Sequence, residues 1–172
     1  MSPTEGNKDI AIRPATESDR EALGRYGAAL MRQHHASDPR RFILTENPER
    51  GYGRFLVSQV GDPDTLVLVA ERAGRVLGYV FATVEEISWR DLRGPGGFVH
   101  DVYVTEEARH QGIARALLRA AIDWIRSRGK RQVVLWSKSG NQEAQALFHR
   151  LGFRETMMEM TLDLESRSEE GT

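Results

Sequence analysis

In the run Arg109-His110-Gln111-Gly112-Ile113-Ala114 a glycine follows a polar connection and opens an apolar-striped segment. The first NH groups of a helix lack intrahelical partners and lie at the positive end of its dipole, so an anion is best held there. Gly112 and Ala114 are small enough to let an oxyanion reach the backbone, and Arg109 and Arg115 add charge beside it. A diphosphate fits such a turn; an ordinary glycine-opened helix with surface arginines has the same spelling. Upstream lies His100-Asp101, a group that titrates near neutral pH beside a carboxylate, with Glu85 and Glu86 as further carboxylates. Downstream, Asn141 suits a helix start. His34-His35 is a weak metal pair, because adjacent helical residues point about 100° apart, and no metal site is expected.

These residues need elements to hold them. Ile10, Ile12 and Pro14 read as a first strand, and Thr16 to Asp19 offers a cap for a helix carried by Ala22, Leu23, Tyr26 and Leu30. Asn47-Pro48 starts a second helix with Tyr52, Phe55, Leu56 and Val60. Leu66 to Ala70 and Val76 to Val84, joined by Ala73-Gly74, form a hairpin. Trp89 to Gly97 is a loop, and Phe98 to Val104 is the strand that feeds the Gly112 turn. Alternation along that strand puts His100 on one face with Phe98 and Val102. Ile113 to Trp124 is a helix stopped by Gly129, Val133 to Trp136 a short strand, and Gln142 to Leu151 a helix capped by Gly152. Met158, Met160, Leu162 and Leu164 alternate with Glu159, Thr161 and Asp163, the period of a strand with one wet face. The order β-α-α-β-β-β-α-β-α-β indicates an α/β (α+β) fold, a mixed sheet with helices against it.

Composition narrows the classes. The 172 residues, 40% of them hydrophobic, suffice for one domain, expected over residues 8–164 with flexible termini at 1–7 and 165–172. With 24 basic and 25 acidic side chains the net charge is -1, so neither nucleic acid nor a membrane surface is an expected partner. The absence of cysteine excludes a thiol nucleophile, a thiolate metal site and a disulfide framework. No apolar run reaches the roughly 18 residues of a membrane span and no signal peptide stands at the start, so a cytoplasmic location is the default.

Arg109-x-x-Gly112-x-Ala114, preceded by Asp101-Val102-Tyr103-Val104 and followed by Ala116-Leu117-Leu118, resembles the signature of the GNAT superfamily of N-acetyltransferases. Asn141-x-x-Ala144-x-x-Leu147-Phe148-x-x-Leu151-Gly152-Phe153 is similar to that family's downstream motif. The resemblance covers residues 10–164, with these two stretches its specific part. It implies the GNAT fold: a mostly antiparallel sheet of six to seven strands with about four helices, splayed at the coenzyme site. Acetyl-coenzyme A would serve as co-substrate, with no metal.

By the same resemblance, Val102 and Val104 would pair through their backbones with the pantetheine arm, as an added strand does. Arg109, Gln111, Gly112, Ile113 and Ala114 would hold the diphosphate, and Asn141, Ala144 and Phe148 would complete the coenzyme contacts. An alkyl amine of pKa about 10 must lose a proton before it attacks, so a base is needed. His100 is the first choice, at a position where several members carry glutamate; Asp101 either shares this task or binds a cationic acceptor, and Glu86 is a further carboxylate. Many members place a tyrosine, thought to protonate the departing thiolate, where this chain has Phe148; Tyr103 or water would then supply the proton. The resemblance puts the acceptor pocket between Met31 to Arg41 and Glu86 to Gly97, where Trp89 either lines the pocket or packs under its loop. Mixed charge there favours a small polar amine, with a peptide or protein amine, or a non-catalytic acyl-coenzyme A binder, as alternatives. The apolar side of Met158 to Leu164 makes a homodimer a further expectation.

Overall fold

The structure, a computed structural model, describes residues 10–164; the expected flexible ends at 1–7 and 165–172 lie outside the described residues. Strand β1 (Ala11–Pro14) opens the chain, and its Pro14 is tolerated because β1 is an edge strand. A 3-10 turn over Glu17–Asp19 leads into α1 (Arg20–Ser37), and α2 (Pro48–Ser58) begins on a proline whose missing NH costs nothing at the first helical position. Then come β2 (Thr65–Arg72), β3 (Arg75–Glu85), β4 (Gly96–Val104), α3 (Ile113–Ser127), β5 (Val133–Leu135) and α4 (Gln142–Arg150). The β2–β3 hairpin turns on Ala73 and Gly74, both at positive φ, the backbone pair that matches the right-handed twist of its strands.

The sheet runs β1-β2-β3-β4-β5, antiparallel up to β4 and parallel between β4 and β5. Alternation divides its side chains between two cores. One face carries Leu68, Val80, Ala82, Val99 and Val104, covered by Ile113, Leu117, Leu118, Ala121 and Ile125 of α3 and Phe148 of α4. The other carries Val67, Val69, Tyr79 and Phe81, covered by Leu23 and Tyr26 of α1 and Leu56 of α2. The first core is aliphatic but for Phe148, while the second is rich in tyrosine.

The described sheet has five strands where six to seven were expected, and the difference lies at the C-terminal end. Residues 154–164 form no strand. Met158, Met160, Leu162 and Leu164 are each more than four-fifths exposed. Alternation tells which side of a strand is wet, but a strand also needs a neighbouring backbone to pair with. Within this chain the segment is held instead by its charged side chains, Glu159 on Arg41 and Asp163 on Arg40.

Candidate active site

β4 is the axis of the site. It pairs with β3 along its whole length, but with β5 only from Gly97 to Val99, opposite Val133 to Leu135. Beyond Val99 no described strand lies on that side, so the backbone of His100 to Val104 borders an opening between β4 and β5. This is the splay that the Val102 and Val104 assignment requires. Both valines direct their side chains into the α3-side core.

At the far end of β4 the chain passes Glu106–Ala108 and tightens into the turn before α3. His110 and Gly112 both have positive φ, 59° and 81°, and Gly112 is the residue that caps α3. A left-handed cap without a side chain leaves the first NH groups of α3 uncovered, and a Cβ at Gly112 would meet nothing within 4 Å. The turn is pinned from outside. Arg109 donates from Nε to the Val104 carbonyl at 3.3 Å, Gln111 accepts from Arg72 at 2.9 Å, and His110 lies 3.5 Å from Glu143 of α4. Ile113 is buried and Ala114 half-buried, so those two residues offer their backbone to a ligand while their side chains anchor the helix. An open strand edge leading to an uncovered helix N-terminus fits a pantetheine arm and a diphosphate.

Asn141 caps α4, its Oδ1 accepting from the Ala144 NH at 3.2 Å. Ala144 packs at the edge of the α3-side core, and Phe148 is buried within it, its ring against Phe153.

The middle of β4 holds a feature that strand periodicity does not predict. Phe81 pairs with Asp101 and Ala82 with Val99, so His100 is an extra residue in a β-bulge. The inserted residue changes the parity of the strand. His100 therefore shares the α1/α2 face with Phe98 and Asp101, whereas Val102 points to the α3 side, correcting the expected grouping of His100 with Val102. The His100 ring is stacked between Phe81 and Phe98, with centroids at 4.9 and 4.7 Å. This covering pushes its pKa below the usual histidine value.

One ring nitrogen of His100 is tied down. Nε2 lies 2.8 Å from the Thr83 hydroxyl, which also contacts Glu85 at 3.2 Å, and Glu85 is in turn paired with Arg93. An ionised carboxylate only accepts, so the Thr83 proton is directed to Glu85 and His100 donates from Nε2 to Thr83. In that tautomer Nδ1 carries the free lone pair, and it has no hydrogen-bond partner among the described residues.

Asp101 is held differently. Tyr52 of α2 and Tyr79 of β3 both donate to its Oδ2, at 2.8 and 3.0 Å, and Oδ1 has no hydrogen-bond partner among the described residues. Burial raises the pKa of Asp101, and the two tyrosine hydroxyls partly oppose that rise. The same burial, with the carboxylate alongside, pushes both tyrosines above their usual value. Tyr52 reaches Asp101 only because residue 27 on α1 is glycine: a Cβ there would fall 2.0 Å from the Tyr52 ring. Neither Gly27 nor the two tyrosines are marked by any motif. Their role comes from contacts between elements far apart in the chain.

Other expected residues lie elsewhere. Glu86 is mostly exposed and bridges to Lys130 at 2.5 Å, on the rim. Tyr103 faces α1, stacked on Tyr26 at 5.4 Å. Trp89 is 79% exposed, so it does not pack under its loop. His34 and His35 give their Nδ1 atoms to the Leu30 and Phe42 carbonyls, and no group of metal-binding side chains occurs among the described residues.

A cavity of about 270 Å³ between α1 and α2 is lined by Met31, Thr45, Pro48, Gly51, Tyr52 and Phe55, and the hydroxyl of this Tyr52 donates to Asp101. A larger one, about 670 Å³, lies near Thr105 and Arg75. Its charges are already paired as Arg13–Asp19, Arg25–Glu21 and Arg75–Glu107, which makes it an ion-pair groove.

Similarities to known proteins agree with this geometry. Residues 26–153 match the model of the acetyltransferase (GNAT) family. An uncharacterized N-acetyltransferase of Bacillus subtilis (strain 168), YhfO, is 26% identical over 146 residues, covering 84% of this chain and 89% of its own. A mycothiol acetyltransferase of Thermobispora bispora is 39% identical over 85 residues, 49% of this chain but 28% of that longer protein. Among solved structures, a tetramutant of the Bacillus halodurans protein BH1408 superposes with a TM-score of 0.75 at 22% identity, covering 90% of this chain and 99% of that one. AAC(6')-Iy, bound to the bisubstrate analog CoA-S-monomethyl-acetylneamine, gives 0.70 at 18% identity, covering 90% and 97%. The splayed β4–β5 pair, the uncovered α3 N-terminus and the family match together place this chain in the acetyltransferase (GNAT) family.

Proposed function

We propose that this acetyltransferase uses acetyl-coenzyme A to acetylate a primary amine on a small polar molecule in the cytoplasm. The observation that carries the reading is the bulge at His100, which brings a neutral imidazole and an anchored carboxylate to one face beside the opening between β4 and β5. Bound acetyl-coenzyme A supplies the activated acetyl group: the amine nitrogen bonds to the carbonyl carbon as the carbon–sulfur bond breaks. The Gly112 to Ala114 backbone, with Arg109 and Gln111, holds the diphosphate, and the strand edge of Val102 and Val104, where Arg109 already takes the Val104 carbonyl, aligns the arm.

The remaining steps belong to the acceptor side. Asp101 Oδ1 receives the incoming ammonium, its other oxygen fixed by Tyr52 and Tyr79. His100 Nδ1 takes the proton that the ammonium must lose, and its lowered pKa keeps it unprotonated at neutral pH. Glu85, through Thr83, keeps the tautomer in place. Phe148 has no proton to give, but a thiol of pKa about 8.5 leaves tolerably as an anion and is reprotonated by water. Tyr103 is a further phenol on the same face.

Relatives support the acceptor class, because the named ones include mycothiol acetyltransferases and an aminoglycoside N-acetyltransferase. The test is thiol release from acetyl-coenzyme A across a panel of aminosugars, polyamines and peptides. With no cysteine in the chain, a thiol reagent reports the coenzyme alone. Turnover with small amines above the hydrolytic background is the expected result. Release with peptides only would replace the acceptor class, and tight coenzyme binding with no release from any amine would leave a binder in place of a catalyst.

A further inference from the structure

Arg93 stands near the end of the loop between β3 and β4, and its side chain is only 12% exposed. Its backbone makes both hydrogen bonds of a bridge to Ser88, at 2.8 and 3.0 Å, which fixes the point from which the side chain departs. The guanidinium lies over the Phe98 ring, 5.9 Å from its centroid, and Phe98 in turn stacks on His100. Nη2 donates to Glu85 Oε2, whereas Nη1 is buried with no hydrogen-bond partner among the described residues. A buried, unpartnered nitrogen on a charged group costs stability, and an apolar side chain in its place would avoid that. What the arginine supplies is a direction, because a guanidinium can only donate.

An obligate donor claims an oxygen of residue 85 and turns the other atom of that head group towards Thr83. With glutamate at 85 the second atom is Oε1, again an acceptor, 3.2 Å from the Thr83 hydroxyl. Thr83 has one proton to give; directed to Glu85, it leaves the hydroxyl oxygen to accept from His100 Nε2 at 2.8 Å. Nδ1 is then the nitrogen without a proton. We propose that Arg93 is a positioning residue that selects the tautomer of His100 through Glu85 and Thr83, so that the β3–β4 loop decides which imidazole nitrogen carries the free lone pair. The use made of that lone pair rests on the proposed function, whereas the order of donors and acceptors along the chain does not.

Nitrogen–proton correlation NMR of the resting protein, at a pH above the imidazole range, reads the tautomer directly. The His100 signals are assigned among the five histidines by their loss in His100→Ala. The wild type is expected to carry its proton on Nε2. In Glu85→Gln the arginine still claims the oxygen, so the amide NH2 faces Thr83; the hydroxyl accepts from it, donates to His100 Nε2 and reverses the tautomer. Adding Arg93→Met frees the amide to turn over, and a mixture of tautomers is expected. Arg93→Met alone should also give a mixture and lower kcat about tenfold with the coenzyme KM unchanged, while Arg93→Lys, still an obligate donor, restores the tautomer and brings kcat to within about threefold of wild type. An arginine that only staples the loop would lower the melting temperature on replacement and leave Glu85→Gln with the wild-type tautomer, which would overturn the proposal. A reversal that persists in full after Arg93→Met is added would overturn it equally. If Arg93→Met fails to fold, Glu85→Gln, which keeps the arginine and the size of the side chain, decides through its reversal alone. Tautomers that respond as expected with kcat unmoved would uphold the relay and remove His100 as the base, so the two readings fail separately.

Discussion

At the Gly112 end of β4 the groups that face an anion are backbone NH groups, presented by a left-handed cap and a helix start within one short stretch of chain. At the His100 end they are side chains, and their supports come from α2 and β3: Tyr52, Tyr79, Thr83 and Glu85. The first end needs only a local conformation, with Gly112 and Ala114 to keep side chains out of the way. The second needs an inserted residue to turn His100 and Asp101 to one side, and then tertiary packing to hold them there. Under the proposed function, coenzyme binding thus rests on backbone, and the chemistry on side chains whose protonation depends on burial.

That contrast can be broken most sharply at His100. Replacing it with alanine is expected to lower kcat about 100-fold at neutral pH and progressively less towards the pKa of the acceptor amine, where free base is already present. In the wild type the acid limb of the kcat profile should fall below the usual histidine value, because the stacked ring resists protonation. A loss of the same size at every pH would remove His100 as the base and leave it a packing residue.

Gly112→Val probes the other end. The φ of 81° resists a branched side chain by about 1–2 kcal/mol, and the new methyl groups stand where a diphosphate approaches. The coenzyme KM is expected to rise about tenfold, which corresponds to roughly 1.4 kcal/mol, with kcat nearly unchanged. Unaltered coenzyme binding by calorimetry would contradict the assignment of this turn.

Asp101→Asn gives the smallest change and separates binding from stability. The acceptor KM should rise about fivefold, roughly 1 kcal/mol, as the contact of the ammonium with a carboxylate becomes one with a neutral amide. The fold should gain. Because the folded-state pKa of Asp101 is raised, its stabilising contribution is complete below the unfolded value and is lost as pH rises through the folded one. An amide oxygen still accepts from Tyr52 and Tyr79 without that penalty, so the variant should melt higher than wild type at pH 7 and equally at pH 3. Melting lower at pH 7 would show that the carboxylate is a net stabiliser.

Much of the molecule was legible from residue order alone, and the reason is locality. The β2–β3 hairpin follows from Ala73-Gly74 between two apolar runs, α2 from Asn47-Pro48, and the anion turn from a glycine between a strand and an amphipathic helix. Each of these is decided by a few neighbouring φ/ψ values or by one periodicity. The family signature is likewise a contiguous string, which is why Arg109 to Ala114 could be matched to it from residue order.

Tertiary structure decided what depends on partners. Whether residues 158–164 become a strand rests on a neighbouring backbone, and the described residues supply none. The direction of His100 rests on a bulge that appears only when β4 is laid against β3, because an extra residue is invisible until the register of two strands is compared. Asp101 could be read as a carboxylate but not as one clamped by Tyr52 and Tyr79, nor could Gly27 be read as the gap that admits the Tyr52 ring. Sequence therefore marked the turn proposed to hold the coenzyme's phosphates, since helix termini and glycine conformations are local. Folding decided what surrounds the proposed base, since pKa values and hydrogen-bond partners are set by whatever distant segments bring within a few ångströms.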